Sequence, residues 1–174
     1  MSQPPINTFS DLEGDLRQFF PYESFKPLQA AIIRRCLDGK NTLGLMPTGG
    51  GKSLIYQFCA VKNLGTSLVV VLSPLIALMQ DQYDRAKKLG IRVTFLASTV
   101  LADEREKRLS RLENGEFELL FVTPERFKNA RFREVIAKRK VGLLVVDEAH
   151  CVSLWSHDFR PEYGKIALIR EFLG

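Results

Sequence analysis

Two short runs of residues in this chain have the types and spacing of a site for a magnesium nucleotide. The first, Met46 to Ser53, contains three consecutive glycines before Lys52 and Ser53, and the second is Asp147-Glu148-Ala149-His150. Adjacent glycines let backbone N–H groups surround a phosphate, the lysine reaches its outer oxygens, and the serine hydroxyl ligates magnesium. We therefore expect ATP and Mg²⁺ to bind here. The predicted phosphate-binding residues are Thr48, Gly49, Gly50, Gly51, Lys52 and Ser53.

The second run supplies the acidic groups that cleavage of a γ-phosphate requires. Asp147 and Glu148 directly follow an apolar run, Val141 to Val146, which is typical of a buried strand. We expect Asp147 to hold the magnesium through water, together with Ser53, and Glu148 to orient and deprotonate the attacking water. A Gly-rich turn and an acidic strand end are the alternatives for either run alone. Their joint presence in this order favours the nucleotide site.

The elements that must position these residues alternate between apolar runs and amphipathic segments. This pattern predicts an α/β fold with a mostly parallel sheet covered by helices on both faces. Strands are predicted at Thr42 to Met46, Leu68 to Leu72, Arg92 to Leu96, Leu119 to Val122 and Gly142 to Val146. Helices are predicted near Phe25 to Leu37, Ser53 to Asn63, Leu75 to Leu89, Ala102 to Asn114 and Phe132 to Arg139.

Composition agrees with one soluble, intracellular enzyme domain. The 174 residues carry 25 Lys and Arg against 20 Asp and Glu, and this net charge of +5 fits a nucleic-acid partner without establishing one. Cys36, Cys59 and Cys151 lack paired spacing, so we expect reduced, buried thiols. We expect no membrane segment, because no apolar run approaches the length needed to cross a bilayer. Nor does the N-terminus resemble a secretory signal.

Further motifs in this order identify a family resemblance. They are Phe25-Lys26-Pro27-Leu28-Gln29, Ser73 to Gln82, Thr123-Pro124-Glu125-Arg126, and Ala149 to Tyr163. From about Leu16 to Gly174 the chain resembles the first motor lobe of RecQ-type DNA helicases, within superfamily 2. The resemblance implies a RecA-like P-loop NTPase domain spanning residues 1–174, a location in the cytoplasm or nucleoid of a bacterium or the nucleus of a eukaryote, and single-stranded and duplex DNA as partners.

The resemblance also assigns site residues. Gln29 would read the adenine edge, with Tyr22 and Lys26 near the base, and His150 would sense the γ-phosphate, although a lone histidine is often only a satisfied hydrogen-bonding group. Without the resemblance, Gln29 would be interpreted as part of an exposed polar helix face. The residues that would face DNA before the last motif are Ser73, Pro74, Gln80, Thr123, Pro124, Glu125 and Arg126.

The last motif resembles the aromatic-rich loop that couples DNA binding to ATP hydrolysis in RecQ enzymes. Trp155 and Phe159 offer flat surfaces for base stacking, and His157 and Arg160 add hydrogen bonding and charge. Core packing of the two aromatic residues is the alternative, but the polar residues among them make a poor buried segment.

Several positions depart from the family pattern. Leu154 replaces a usual glutamine, Ser156 a usual glycine, Pro21 a common glycine and Lys26 a frequent arginine. The chain also stops at Gly174, before the Ser/Thr-Ala-Thr motif, the second motor lobe with its arginine finger, and the zinc and winged-helix regions. We therefore expect a lobe that is incomplete at its C-terminus. The missing strand would leave a gap between the strands that carry Lys52 and Asp147.

The function that the resemblance implies is DNA unwinding driven by ATP, with 3′–5′ movement on single-stranded DNA. A P-loop GTPase or small-molecule kinase is disfavoured, because no Asn/Thr-Lys-x-Asp guanine-reading sequence is present. An RNA helicase is a close alternative within the same class. A stand-alone lobe that binds nucleic acid or a partner without motor activity is the other alternative.

Overall fold

A four-stranded parallel sheet forms the centre of the protein. The computed structural model describes residues 11–63, 65–152 and 161–174. Its strands are β1 (Leu68–Leu72), β2 (Val93–Leu96), β3 (Leu119–Val122) and β4 (Val141–Val146), arranged in the order β2-β3-β1-β4. All neighbouring strands run parallel, so every carboxyl end lies at one edge of the sheet. The predicted α/β fold with a parallel sheet is confirmed.

Helices cover both faces of this sheet. On one face, strand residues such as Val69, Val71 and Phe121 pack against helices that include Ile33, Phe58 and Met79. On the opposite face, the alternate residues along the strands, whose side chains point the other way, pack against the remaining helices. The helices are α1 (Leu12–Phe19), α2 (Gln29–Leu37), α3 (Lys52–Lys62), α4 (Ile76–Lys88), α5 (Ala102–Glu113), α6 (Ala130–Ala137) and α7 (Ile166–Leu173), and short 3₁₀ turns lie at Pro124–Lys128, Ala149–Val152 and Pro161–Lys165.

The prediction of a strand at Thr42 to Met46 is wrong. This segment is irregular, and Leu43 and Leu45 are 79% and 80% exposed. The physical reason is that no strand pairs with this segment. Among the strands described, β4 pairs only with β1, and its other edge forms no ladder with Thr42 to Met46. A β-prone sequence without a hydrogen-bonding partner has no ladder to join.

The other predicted elements occur with small changes of boundary. α2 begins at Gln29 and not at Phe25, because Leu28 has a left-handed backbone with φ of 71°. Sequence analysis did not predict α1 or α7. The Asp11 carboxylate begins α1 by accepting a hydrogen bond from Gly14 N at 2.6 Å. Within the described ranges, no helix is long and apolar enough to cross a membrane.

Candidate functional site

The predicted phosphate loop is a tight turn that leads directly into α3. Gly50 N donates to Pro47 O at 3.0 Å, and Gly51, at the N-cap of α3, has a φ of 79°. Gly49 has a φ of 75°. Such left-handed conformations strain residues that carry a Cβ, which explains why glycine occupies both positions. α3 therefore starts at Lys52 with its N-terminus at the end of the loop, and the N-terminus of a helix suits an anion.

Two side chains from the preceding segment hold this loop in place. Lys26 Nζ donates to Gly49 O at 2.9 Å, and Gln29 Nε2 donates to Gly51 O at 2.9 Å and more weakly to Gly50 O at 3.4 Å. Gln29 Oε1 in turn accepts from Lys26 N at 2.8 Å. Gln29 is only 2% exposed, so it is not part of an exposed polar face. Its amide contacts the loop, and adenine reading by Gln29 stays a prediction. Tyr22 is 49% exposed.

The acidic pair lies where β4 ends. Asp147 N donates to Leu72 O at 2.9 Å, which fixes Asp147 beside the carboxyl end of β1. Glu148 N donates to Asp147 Oδ1 at 3.0 Å, and Glu148 has a φ of 50°. A positive φ at a residue with a side chain is a strained conformation that proteins retain mainly at functional sites. This strain marks the turn that follows β4 as a candidate functional feature.

Electrostatic interactions connect the acidic pair to the phosphate loop. Burial raises the pKa of Asp147, the Glu148 N–H lowers it, and the charge of Glu148 raises it, whereas the positive charges of Lys52 and His150 lower it. Lys52 and Asp147 are 95 positions apart in the chain, yet the fold brings their charges within interaction range. His150 Nδ1 lies 3.3 Å from Glu148 Oε2. The four residues predicted to be catalytic are thus linked by the charge interaction of Lys52 with Asp147, by the adjacency of Asp147 and Glu148, and by the contact of Glu148 with His150.

Residues predicted to hold magnesium include one carboxylate, Asp147, and one hydroxyl, Ser53. Among the described residues, no group of three or more His, Cys, Asp or Glu side chains is arranged to hold a metal ion. Nucleotide-bound Mg²⁺ typically uses one or two protein oxygens, with phosphates and water completing its shell. The hard oxygen donors here fit that mode of binding, and bound Mg²⁺ would neutralise charge on the phosphates.

Two tyrosines that the sequence analysis did not assign to the site also lie beside Asp147. Tyr163 Oη donates to Asp147 O at 3.4 Å, and the charge of Asp147 raises the pKa of both Tyr56 and Tyr163, after the larger effect of burial. Tyr56 follows Ser53 by three residues on α3, which places the two residues on the same side of the helix but does not by itself predict that the hydroxyl is buried.

The residues predicted to face DNA before the last motif lie at the same edge of the sheet. Ser73 follows β1 and is 2% exposed, and its N–H donates to Val122 O at 3.1 Å. Arg126 follows β3 and donates from Nη2 to Ala97 O, beyond the end of β2, at 2.6 Å. Burial lowers the pKa of Arg126, and the charge of Arg105 lowers it further.

The remaining members of that predicted set vary in exposure. Thr123 is partly buried, Pro124 is buried, Pro74 is partly buried, and Glu125 and Gln80 are exposed. Gln80 Nε2 donates to Asp84 Oδ2 at 3.1 Å on its own helix. The aromatic-loop residues Trp155, His157, Phe159 and Arg160, together with Leu154 and Ser156, lie outside the described residues.

Comparison with known proteins gives a consistent family assignment. Residues 26–171 match the family model described as DEAD/DEAH box helicase. The chain is 41% identical over 155 residues to the ATP-dependent DNA helicase RecQ of Bacillus subtilis, covering 88% of this chain and 26% of that protein. It is 42% identical over 185 residues to the ATP-dependent DNA helicase Q5 of Rattus norvegicus, covering 99% of this chain and 19% of that protein. The chain thus spans about a quarter or less of the length of these relatives.

Solved structures give the same fold at lower sequence identity. A hypothetical ATP-dependent RNA helicase from Sulfolobus tokodaii superposes with a TM-score of 0.64 at 19% identity, covering 95% of this chain and 46% of that chain. The helicase Lhr of Mycobacterium smegmatis, solved with ssDNA and AMP-PNP, gives a TM-score of 0.58 at 24% identity, covering 79% of this chain and 21% of that chain. At these identities the likeness concerns the fold alone.

Proposed function

The chain belongs to the DEAD/DEAH box helicase family, and on this basis we propose that it is the ATP-binding lobe of a RecQ-like DNA helicase. In the proposal, ATP hydrolysis drives 3′–5′ movement along single-stranded DNA and separation of duplex DNA. A second motor lobe completes the nucleotide site and the DNA path. Sequence identities of 40% to 42% to proteins named as ATP-dependent DNA helicases support DNA as the substrate.

The observation that carries the proposal is the electrostatic interaction between Lys52, at the end of the phosphate loop, and Asp147, in the acidic turn after β4. Lys52 begins α3 at the end of a glycine loop, and its charge acts on Asp147. We assign Lys52 to the outer phosphates of ATP, and Ser53 and Asp147 to Mg²⁺. The remaining phosphate contacts come from Thr48 and from the N–H groups of Gly49 to Gly51.

Glu148 is the proposed base for the attacking water. Glu148 directly follows Asp147 in the strained turn after β4, and its Oε2 lies 3.3 Å from His150 Nδ1. A water molecule held by this carboxylate would lose its proton as it attacks the γ-phosphate. His150 contacts that base and would respond to the presence of the γ-phosphate.

The DNA path is proposed to cross the carboxyl edge of the sheet. Thr123 and Arg126 lie at that edge beyond the end of β3 and are only partly buried, whereas Ser73, beyond the end of β1, is 2% exposed. Polar groups and an arginine at adjacent strand ends suit contacts with a phosphate backbone. The predicted loop at Trp155 would add base stacking and report DNA binding to the nearby carboxylates. A protein acting on DNA would work in the cytoplasm or nucleoid of a bacterium or in a eukaryotic nucleus.

Nucleotide binding by the 174-residue chain tests the proposal. We expect a fluorescent ATP analogue to bind in Mg²⁺, to be displaced by ATP in preference to GTP, and to bind roughly 10–100-fold more weakly to the Lys52→Ala variant, because a charged hydrogen bond contributes about 1.5–3 kcal/mol. Lys107→Ala, at an exposed position on α5, is the control. Equal binding by the two variants, or displacement by GTP alone, would refute the assignment.

Hydrolysis provides a second test. An arginine supplied from outside the lobe raises rates in related phosphoryl-transfer systems by about 10³–10⁵. We therefore expect the chain alone to hydrolyse ATP very slowly with or without single-stranded DNA. Rapid DNA-stimulated turnover by the purified monomer would remove the need for a second lobe.

A further inference from the structure

The hydroxyl of Tyr56 is buried without a hydrogen-bond partner among the described residues. The residue is 3% exposed, and its ring packs edge-on against Phe121 with the centroids 5.9 Å apart. Buried tyrosine hydroxyls normally find a partner, because the desolvated polar atom is otherwise left with no compensation. An orphaned hydroxyl in the core therefore needs an explanation.

Tyr56 lies on the helix that begins at the phosphate loop, close in sequence to the residues assigned to the nucleotide site. Tyr56 lies one helical turn beyond Ser53 on α3, so the two residues share a side of the helix. Burial raises the pKa of Tyr56, and the charge of Asp147 raises it further. The hydroxyl is thus a protonated donor in the electrostatic range of a carboxylate assigned to magnesium.

Asp147 has unused capacity to accept a hydrogen bond. A carboxylate has about four acceptor sites, and Asp147 Oδ1 uses one of them for Glu148 N at 3.0 Å. The backbone of Asp147 is already fixed, since its N–H donates to Leu72 O and its carbonyl accepts from Tyr163 Oη. A further donor would control how the carboxylate is rotated about its own side-chain bonds.

We propose that Tyr56 is a positioning residue for the metal end of this site: its hydroxyl donates across one water to the Asp147 carboxylate and orients the oxygen presented to Mg²⁺. This inference rests on the proposed function, because it assumes that a magnesium nucleotide binds beside Asp147. Groups that orient a metal-binding carboxylate typically change metal affinity by about 10–100-fold when removed.

The test is the Tyr56→Phe variant, which keeps the ring against Phe121 and removes only the hydroxyl. Binding of a fluorescent ATP analogue is titrated with Mg²⁺ and repeated in EDTA. We expect the Mg²⁺ concentration for half-maximal enhancement of binding to rise about tenfold. The affinity in EDTA should stay at the wild-type value, and the melting temperature should be equal to or higher than that of the wild type. Tyr83→Phe is the control, because Tyr83 also packs edge-on against a phenylalanine but belongs to α4.

The outcomes separate this inference from the proposed function. An unchanged Mg²⁺ titration for Tyr56→Phe overturns the role of Tyr56 while leaving the nucleotide site intact. An equal loss of affinity with Mg²⁺ and in EDTA also overturns it, since that result indicates altered packing. If the wild-type chain itself binds no magnesium nucleotide, the proposed function fails first.

Discussion

The contact between Gln29 and the phosphate loop contributes to the stability of the protein before any ligand binds. The Gln29→Ala substitution removes two short hydrogen bonds, from Gln29 Nε2 to Gly51 O at 2.9 Å and from Lys26 N to Gln29 Oε1 at 2.8 Å. It also removes the longer bond to Gly50 O at 3.4 Å, which adds little. A net contribution of about 0.5–1.5 kcal/mol for each short bond gives a total of about 1–3 kcal/mol.

Solvent access places the expected loss in the lower part of this range. Lys26 is exposed, and Gly50 and Gly51 are only partly buried, so water can reach the backbone groups that lose Gln29. We expect the free energy of unfolding to fall by about 1–2 kcal/mol, measured by urea denaturation with an unchanged m value. Gln80→Ala is the matched control. Gln80 is exposed, and within the part of the chain that the structure describes its side chain donates only to Asp84, so its replacement should cost less than about 0.5 kcal/mol.

The same variant distinguishes two roles for Gln29. If Gln29 mainly anchors the loop, the ligand-free variant is less stable than the wild type, and its nucleotide affinity falls in parallel because the loop is less ordered. If Gln29 only reads adenine, the variant binds nucleotide more weakly while the ligand-free protein unfolds at the wild-type urea concentration. Wild-type stability of ligand-free Gln29→Ala would therefore refute the anchoring role derived from these hydrogen bonds.

Three further predictions concern a thiol, a strained backbone and a core ring. Hydrogen bonding to Cys59 lowers the pKa of Cys36 to about 7, so its alkylation by iodoacetamide should accelerate with a midpoint near that pH, whereas a midpoint near 9 would contradict this environment. Leu28→Gly should raise the free energy of unfolding in urea by about 1 kcal/mol, because the left-handed φ of 71° is strained for leucine; a clear loss of stability would refute this. Phe58→Ala removes a ring that is 1% exposed and stacked on Phe20 at 5.9 Å, and should cost about 3–5 kcal/mol by the same assay; a loss below about 1 kcal/mol would be inconsistent with such packing.

The sequence was sufficient to predict the elements that have a strong local pattern. The apolar runs at β1 and β3 gave the observed strand bounds, since each is buried along its whole length. α5 was predicted as a helix, and among its residues only Leu109 and Leu112 are buried. α1 was missed because its apolar face amounts to two buried leucines, too short a pattern to stand out.

The site was predictable to the extent that it depends on chain order at strand ends. Parallel strands bring their carboxyl ends together, so motifs that follow β1, β3 and β4 must meet at one edge. The buried amide of Gln29 and the orphaned hydroxyl of Tyr56 were not predictable in this way. Each depends on how a helix packs against a distant segment, and side-chain burial of that kind has no signature in a short stretch of sequence.

The irregular segment at Thr42 to Met46 shows the same limit for a strand. Its sequence favours β structure, but a strand forms only where a neighbour completes its hydrogen bonds, and the free edge of β4 is not paired with it. The phosphate loop that follows is consequently not anchored by a sheet on its N-terminal side. In the described structure, the loop is held by hydrogen bonds that its backbone carbonyls accept from the side chains of Lys26 and Gln29, at and just before the start of α2. The Gln29 amide therefore has more influence on the position of Lys52 than it would have if the loop continued directly from a paired strand.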